Sequence, residues 1–293
     1  MRCPQGAPLR PGAYTGQAAT APVAVVTGST SGIGSWIALG LAEAGYRLIL
    51  IGRDSQRLQA TQDWIVGRMP DAAMSAVVTD LSLLGETRRA ADQILAREPS
   101  LDLLVNNAGI LSHRRIETVE GHELTLAVNH LTPFVLTQTL LPALRRAHAG
   151  RIVMTGSSTS DRARIDPDNL ELRRGWRMTR AYARSKLASL MTSFEIAGQL
   201  AGSGTTINVV HPGMVATDLV RSGGVNQFVW KMIAPFSLTA EAGADTPLYA
   251  CLSPEMAGIS GRYLKRRALA VPNRRAADPL LCSRVLAATE RLV

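Results

Sequence analysis

From residue 22 onward, short apolar runs alternate with segments of helical periodicity, a pattern that predicts a parallel sheet with helices on both faces. The first run covers 22–28, and its helix covers 32–45 with Ile37, Leu41 and Ala44 on one face. Further strands are expected at 46–51, 74–79, 101–106, 151–156, 205–210 and 261–264. The intervening helices fall at 55–68, 84–97, 118–147, 179–201, 239–252 and 278–291, the third of these bent near Pro133. Residues 161–178 are polar, Arg-rich and without clear period, and read as a surface excursion. There is no internal repeat and no linker after residue 21, so 22–293 reads as one domain: an α/β, Rossmann-type, doubly wound parallel sheet.

Composition narrows the classes. An apolar share of 46% supports a substantial core, and no stretch reaches the roughly 20 apolar residues of a membrane span. Residues 1–21 are rich in Pro, Gly, Ala and Gln without an apolar signal region, and read as a flexible lead-in. The net charge of +9 is carried by arginine, for the only lysines are Lys186, Lys231 and Lys265. The arginine pairs are dispersed and aromatics make up only 4%, which argues against a nucleic-acid partner and for a solvated basic surface that attracts an anionic cofactor. Cys3, Cys251 and Cys282 are scattered and odd in number, as in a reducing cytoplasm. The five histidines show no metal-ligand spacing.

The first strand breaks into Gly28-Ser29-Thr30-Ser31-Gly32-Ile33-Gly34, and a helix follows at once. Here Gly28 suits a tight turn, Gly32 a close backbone approach to a pyrophosphate, and Gly34 close packing of helix on strand. The helix N-terminus would add free N–H groups and the positive end of its dipole. Further along, Tyr182-Ala183-Arg184-Ser185-Lys186 puts a phenol and an ammonium on one helix face, four residues apart. Such a pair is more often simply solvated. Its meaning comes from company: the glycine cradle, Asn106-Asn107-Ala108-Gly109 and Ser157-Ser158-Thr159-Ser160 all fall at the C-terminal ends of expected parallel strands, where open α/β sheets bind ligands.

In this set the chain resembles the short-chain dehydrogenase/reductases. The matching pieces are Thr27-Gly28-x-x-x-Gly32-x-Gly34, Asp80-Leu81, Asn106 to Gly109, Asn129, Ser157, Tyr182-x-x-x-Lys186 and Pro212-Gly213, in family order. Val128-Asn129-His130-Leu131, the long gap from Ser157 to Tyr182, Val210-His211-Pro212-Gly213 and Ser260-Gly261-Arg262-Tyr263 resemble the retinol-dehydrogenase-like branch. No N-terminal membrane helix like that of the branch's animal retinoid enzymes is expected from residues 1–21.

The resemblance implies that Tyr182 passes the proton to or from the substrate oxygen. Lys186 lowers the pKa of Tyr182 and holds the nicotinamide ribose. Ser157, in preference to Ser158, bonds the substrate oxygen, and Asn129 holds a water in a relay with Lys186, or is simply a buried amide capping nearby backbone. Thr30, Ser31 and Ile33 belong to the cofactor cradle. Asp80 and Leu81 meet the adenine, Asn107, Ala108 and Gly109 pass beneath the ribose, and Pro212, Gly213, Val215 and Thr217 lie at the nicotinamide. At the end of the second strand an NAD-preferring relative would carry a carboxylate. This chain has Gly52 followed by Arg53, whose guanidinium suits a 2′-phosphate, so NADP(H) is expected over NAD(H). Asp54 reads as a helix cap.

Residues 214–238, with Phe228, Trp230, Met232, Ile233 and Phe236, form either an apolar substrate lid, an oligomer surface or plain core. The resemblance further implies a homodimer or homotetramer. The expected activity is NADPH-dependent carbonyl–alcohol interconversion on a lipophilic small molecule. The alternatives are a non-redox isomerase or lyase, or a non-turnover NADP(H)-binding protein.

Overall fold

The computed structural model describes residues 21–215 and 238–293. Its strands are β1 (Val23–Thr27), β2 (Arg47–Gly52), β3 (Met74–Val78), β4 (Leu103–Asn106), β5 (Arg151–Thr155), β6 (Thr206–His211), β7 (Arg262–Lys265) and β8 (Ala268–Leu269). They form one sheet in the order β3-β2-β1-β4-β5-β6-β7-β8, parallel throughout except for the β7–β8 hairpin. β1 and β2 are buried along their whole length, as strands covered on both faces must be.

The helices are α1 (Gly32–Glu43), α2 (Ser55–Val66), α3 (Leu84–Leu95), α4 (Leu124–Leu126), α5 (Thr132–Leu144), α6 (Met178–Gln199), α7 (Ala240–Leu252) and α8 (Pro279–Glu290). Successive strand residues face opposite cores. Val25 and Ile49 pack with Ile94, Leu136, Leu187 and Val285 of α3, α5, α6 and α8. Val26 and Leu50 pack with Ile37, Leu58 and Ala244 of α1, α2 and α7. This is a doubly wound α/β domain, with its winding reversed between β1 and β4. The crevice at the carboxyl ends of these two strands is where such a sheet takes a ligand.

Strand and helix limits fall within two residues of expectation at most positions, with three corrections. The helix expected over 118–147 begins at Leu124, because 117–123 is a small hairpin. Gly121 turns it at φ 86°, and Glu117 bridges Glu123. The Glu123 side chain then caps α4 by accepting from the Leu126 N–H at 2.8 Å. Between α4 and α5 lies a π turn, Ala127–Leu131, so the irregularity expected at Pro133 sits just ahead of it and centres on Asn129.

The second correction concerns residues 161–178. They carry the end of one 3-10 turn, Ser158–Arg162, and another, Pro167–Asn169, and they bury Leu170, Glu171 and Leu172. The Glu171 carboxylate accepts the Glu123 N–H at 2.6 Å and meets His122 Nδ1 at 2.9 Å, and Trp176 Nε1 donates to Glu123 Oε1 at 3.2 Å. The excursion is a brace on the start of α4. Third, β8 pairs with β7 through a turn in which Arg266 and Arg267 adopt φ 50° and 60°, a conformation that nothing in their residue type announces. Among the described residues no helix is long and apolar enough to cross a membrane. Both the lead-in and most of the expected lid fall outside the described residues.

Candidate active site

The turn after β1 is locked to the turn after β4. Thr27 Oγ1 accepts the N–H groups of both Asn107 and Ala108 at 3.0 Å. Asn107 Nδ2 donates back to the carbonyls of Thr27 and Gly28, each at 3.3 Å. The close approach excludes side chains. A Cβ at Gly28, whose φ is 65°, would stand 2.8 Å from Ala108 Cα, and one at Gly34 would stand 2.1 Å from the Gly28 carbonyl oxygen. Gly32 takes φ 57°, a left-handed conformation that glycine adopts without strain. Ser31 stands at the N-cap of α1 without a side-chain cap bond, leaving the first N–H groups of the helix open. Ser29 Oγ is fully buried and has no hydrogen-bond partner among the described residues. An anionic group seated on this turn would satisfy both sets of donors, so the cradle fits the phosphates of a dinucleotide.

At the adenosine end, a Cβ at Gly52 would meet Thr30 Cγ2 at 2.8 Å, so a side chain there would have to displace the Thr30 methyl. Arg53 is exposed at the end of β2, and Asp54 caps α2 by accepting from the N–H groups of Gln56 and Arg57 at 3.0 and 3.1 Å. A cleft of about 340 Å³ beside the cradle is lined by Thr30, Ser31, Ser35, Arg57 and Trp64, among others. Arg57 has no role in the sequence reading, although its place one turn into α2 is a usable signal. Asp80 Oδ1 accepts from the Ser82 N–H at 2.9 Å, and Leu81 is buried at the same turn.

The reactive groups gather across β5 and α6. Ser157, at the carboxyl end of β5, stands beside the Tyr182 phenol and acts to lower its pKa. Its Oγ accepts from Thr159 Oγ1 at 3.0 Å. Ser158 is exposed instead, on the wall of a cleft of about 530 Å³ that includes Thr159, Asp161, Arg162 and Thr179. Burial pushes the Tyr182 phenol above its ordinary value, and the neighbouring Ser157 pulls the other way without cancelling it.

Lys186 is buried, donates from Nζ to the Thr155 carbonyl at 2.7 Å, and is brought down by burial to about 8. The Lys186 ammonium is thus turned to the β5 backbone. Lys186 Nζ and Asn129 Oδ1 do converge: a Cβ at Gly109 would be 3.5 and 3.4 Å from them.

Asn129 is buried in the π turn, with its amide clamped on Ile110. Oδ1 accepts the Ile110 N–H at 2.8 Å, and Nδ2 donates to the Ile110 carbonyl at 3.0 Å and to Ser185 Oγ at 3.1 Å. The side chain thus does the backbone capping considered above, and its main-chain oxygen accepts from Ser189 Oγ at 2.8 Å. The tie between Thr27 and the Asn107 turn, and the serines 185 and 189, were not singled out from the sequence. Lone hydroxyls carry no spacing signal.

At the far end, Gly213 adopts φ 91°, after Pro212, and Leu238 Cδ1 would lie 2.6 Å from a Cβ there. Val215 bridges to Leu238. The Cβ position of Gly243 is 2.5 Å from Val215 Cγ2 and 3.1 Å from Ile33 Cγ1, so Ile33 and Val215 converge there. Thr217 lies outside the described residues, as do Phe228, Trp230, Met232, Ile233 and Phe236. Beneath this end His211 is brought down to about 4 by burial and by the nearby Lys265, which is itself paired with Asp161.

Comparison with known proteins agrees with this layout. A profile of the short chain dehydrogenase family matches residues 22–226. Dehydrogenase/reductase SDR family member 13 of Bos taurus is 39% identical over 245 residues, which are 82% of this chain and 64% of that protein. The chain therefore spans just under two thirds of the length of that relative. Retinol dehydrogenase 13 of Homo sapiens is 32% identical over 280 residues, covering 92% of this chain and 83% of that one. Among solved structures, the Pseudomonas aeruginosa RhlG/NADP active-site complex is 28% identical with a TM-score of 0.68, covering 84% of this chain and 94% of its own. Motif residues that are distant in sequence but assembled along one sheet edge, within a profile running through more than half of the sequence, place the chain in the short-chain dehydrogenase/reductase family, in its retinol-dehydrogenase-like branch.

Proposed function

We propose that this chain is an NADP(H)-dependent oxidoreductase that interconverts a carbonyl and an alcohol on a small molecule. The observation that carries the reading is the Tyr182 phenol beside Ser157 at the carboxyl edge of the sheet, with Lys186 buried one helical turn further on. A phenol held above its ordinary pKa is protonated at neutral pH, which is the form that donates to a carbonyl oxygen as negative charge develops there. Ser157 offers a second hydroxyl to the same oxygen. Lys186, at about 8, remains mostly cationic at pH 7 and sits beside Gly109, where it would meet the ribose of the cofactor.

The cofactor, when bound, supplies the hydride. The residues suited to hold it are the Gly28–Gly34 turn with Ser29, Thr30 and Ser31, then Asp80, Leu81, Asn107, Ala108 and Gly109, and at the nicotinamide end Ile33, Pro212, Gly213 and Val215. Discrimination for the 2′-phosphate is assigned to Arg53. The lack of a carboxylate at position 52 and the NADP complex of the solved relative support that choice. A lipophilic substrate rests on the apolar residues between 228 and 236 and on the name of the human relative, so all-trans-retinal is a rational first carbonyl to try.

The test is a tryptophan-fluorescence titration with NADPH and with NADH, followed by turnover read from nicotinamide absorbance. Tight NADPH binding, weak NADH binding and carbonyl-dependent loss of absorbance are expected. Binding of neither nucleotide would end the oxidoreductase reading. Turnover of a substrate with no change in nicotinamide absorbance would point to an isomerase or lyase on this scaffold.

A further inference from the structure

The search for groups that the chemistry above does not use leads to a buried histidine next to the Asn129 turn. His130 is 1% exposed and lies between two hydroxyls from different helices. Its Nε2 is 2.8 Å from Thr289 Oγ1, in the last turn of α8, and its Nδ1 is 3.4 Å from Ser189 Oγ on α6. Thr289 is wholly buried and its hydroxyl donates to the Val285 carbonyl at 2.8 Å. With that hydrogen committed, Thr289 Oγ1 can only accept from His130, so the ring carries its hydrogen on Nε2 and presents a lone pair at Nδ1.

Ser189 then has one hydrogen and three acceptors in reach: the Asn129 carbonyl at 2.8 Å, the Ser185 carbonyl at 3.1 Å and His130 Nδ1 at 3.4 Å. The shortest is the Asn129 carbonyl. Over these residues a π turn with i→i+5 hydrogen bonds replaces the α-helical register, and this set of side chains braces it. Asn129 in turn fixes the Ile110 backbone, next to the Gly109 position on which Lys186 converges. Apolar packing runs the same way. Ala288 of α8 shares a small buried cluster with Leu126 and Leu131, on either side of Asn129.

We propose that His130 and Thr289 are positioning residues that set the Asn129 turn from behind, making the C-terminal helix α8 part of the apparatus that aligns the active site. The turnover part of this rests on the oxidoreductase reading, while the structural part does not. Removing the Thr289 hydroxyl leaves the Nε2–H of His130 without its acceptor inside a packed layer, and the ring must turn or the π turn must loosen. Loosening reaches the Ile110 amide through one side chain.

The experiment compares the full-length protein with Thr289→Val and Thr289→Ser. Nitrogen-labelled histidine gives the tautomer of His130 by NMR, assigned with His130→Ala, and amide hydrogen exchange reports on Ile110. Turnover is measured with NADPH and all-trans-retinal. The Nε2–H tautomer is expected in the parent chain. Thr289→Val should exchange the Ile110 amide roughly tenfold faster and lower kcat roughly fivefold, with KM for NADPH within about twofold of the parent. Thr289→Ser should restore both. An Nδ1–H tautomer, or a Thr289→Val protein whose melting temperature falls while Ile110 exchange stays at the parent rate, would overturn the proposal. If the parent chain turns over no carbonyl, the oxidoreductase reading fails, and the tautomer and exchange results still decide the coupling.

Discussion

The turn after β1 and the cluster between β5 and α6 are held by different means. Around Gly28 and Gly34 the determinant is missing volume: carbonyls, an amide and a neighbouring backbone stand where any Cβ would have to go. Around Asn129, Lys186 and Ser157 the determinant is a set of side-chain hydrogen bonds joining segments 19 to 60 residues apart. The first arrangement has no adjustable part, and it binds. The second contains hydroxyls and an imidazole that can reorient, and it is where proton transfer is proposed. Lesions of the two regions should therefore separate in kinetics.

Tyr182→Phe removes the proton donor but keeps the ring, so kcat should fall by roughly 10²–10⁴ with NADPH affinity near that of the parent. Stopped-flow turnover and fluorescence titration on the same sample check the pair, and unchanged turnover would remove Tyr182 from its role. Gly34→Ala is the converse. Its new methyl collides with the Gly28 carbonyl, an overpacking that costs about 1–3 kcal/mol and should appear in NADPH affinity and thermal stability rather than in kcat at saturation. If Gly34→Ala bound NADPH as well as the parent chain does, the cradle would be more yielding than its contacts indicate.

The same division explains what could be read in advance. The glycines, the Asp54 cap, the strand ends and the Tyr–Lys spacing are local rules, in which residue type and position along one element suffice. Hence the sheet and most of its edges were legible. The π turn at Ala127–Leu131 was not, because its residues are compatible with an ordinary helix and the widening is imposed by Glu123, Glu171 and α6 from outside. Nor was the bracing role of 161–178, where Glu171 looks like any surface carboxylate until it meets the Glu123 amide. Nor was the seat of the Lys186 ammonium: spacing places Lys186 on the right face, but only the fold shows its ammonium turned to Thr155.

Acid should attack the second region first. His130 is brought from 6.5 to about 3 by burial, so below pH 6.5 the unfolded chain binds a proton that the folded chain refuses. The stability this provides is present above pH 6.5 and is lost as the pH falls toward 3, with a slope of up to about 1.4 kcal/mol per pH unit from this group. His211, brought down to about 4, adds a contribution of the same sign. Urea midpoints from pH 7 to 5 should therefore fall, and more shallowly in His130→Gln than in the parent chain. Equal slopes would mean that His130 is not what makes the fold acid-sensitive.

The smallest effect expected lies at the outer rim of the cradle, where the missing-volume rule gives way to exposed charge. Arg53→Ala should weaken NADPH about tenfold and leave NADH unchanged, as expected for one solvent-exposed guanidinium on a dianionic phosphate. Arg57 faces the cleft that Thr30 and Ser31 share, but it also stands 3.7 Å from Asp54, which offsets part of its charge. Its replacement by alanine should therefore matter less, roughly threefold, again for NADPH alone. Raising the salt concentration should shrink both differences, since the rim is open to solvent. A larger effect at Arg57 than at Arg53 would move the phosphate seat from the end of β2 to the first turn of α2.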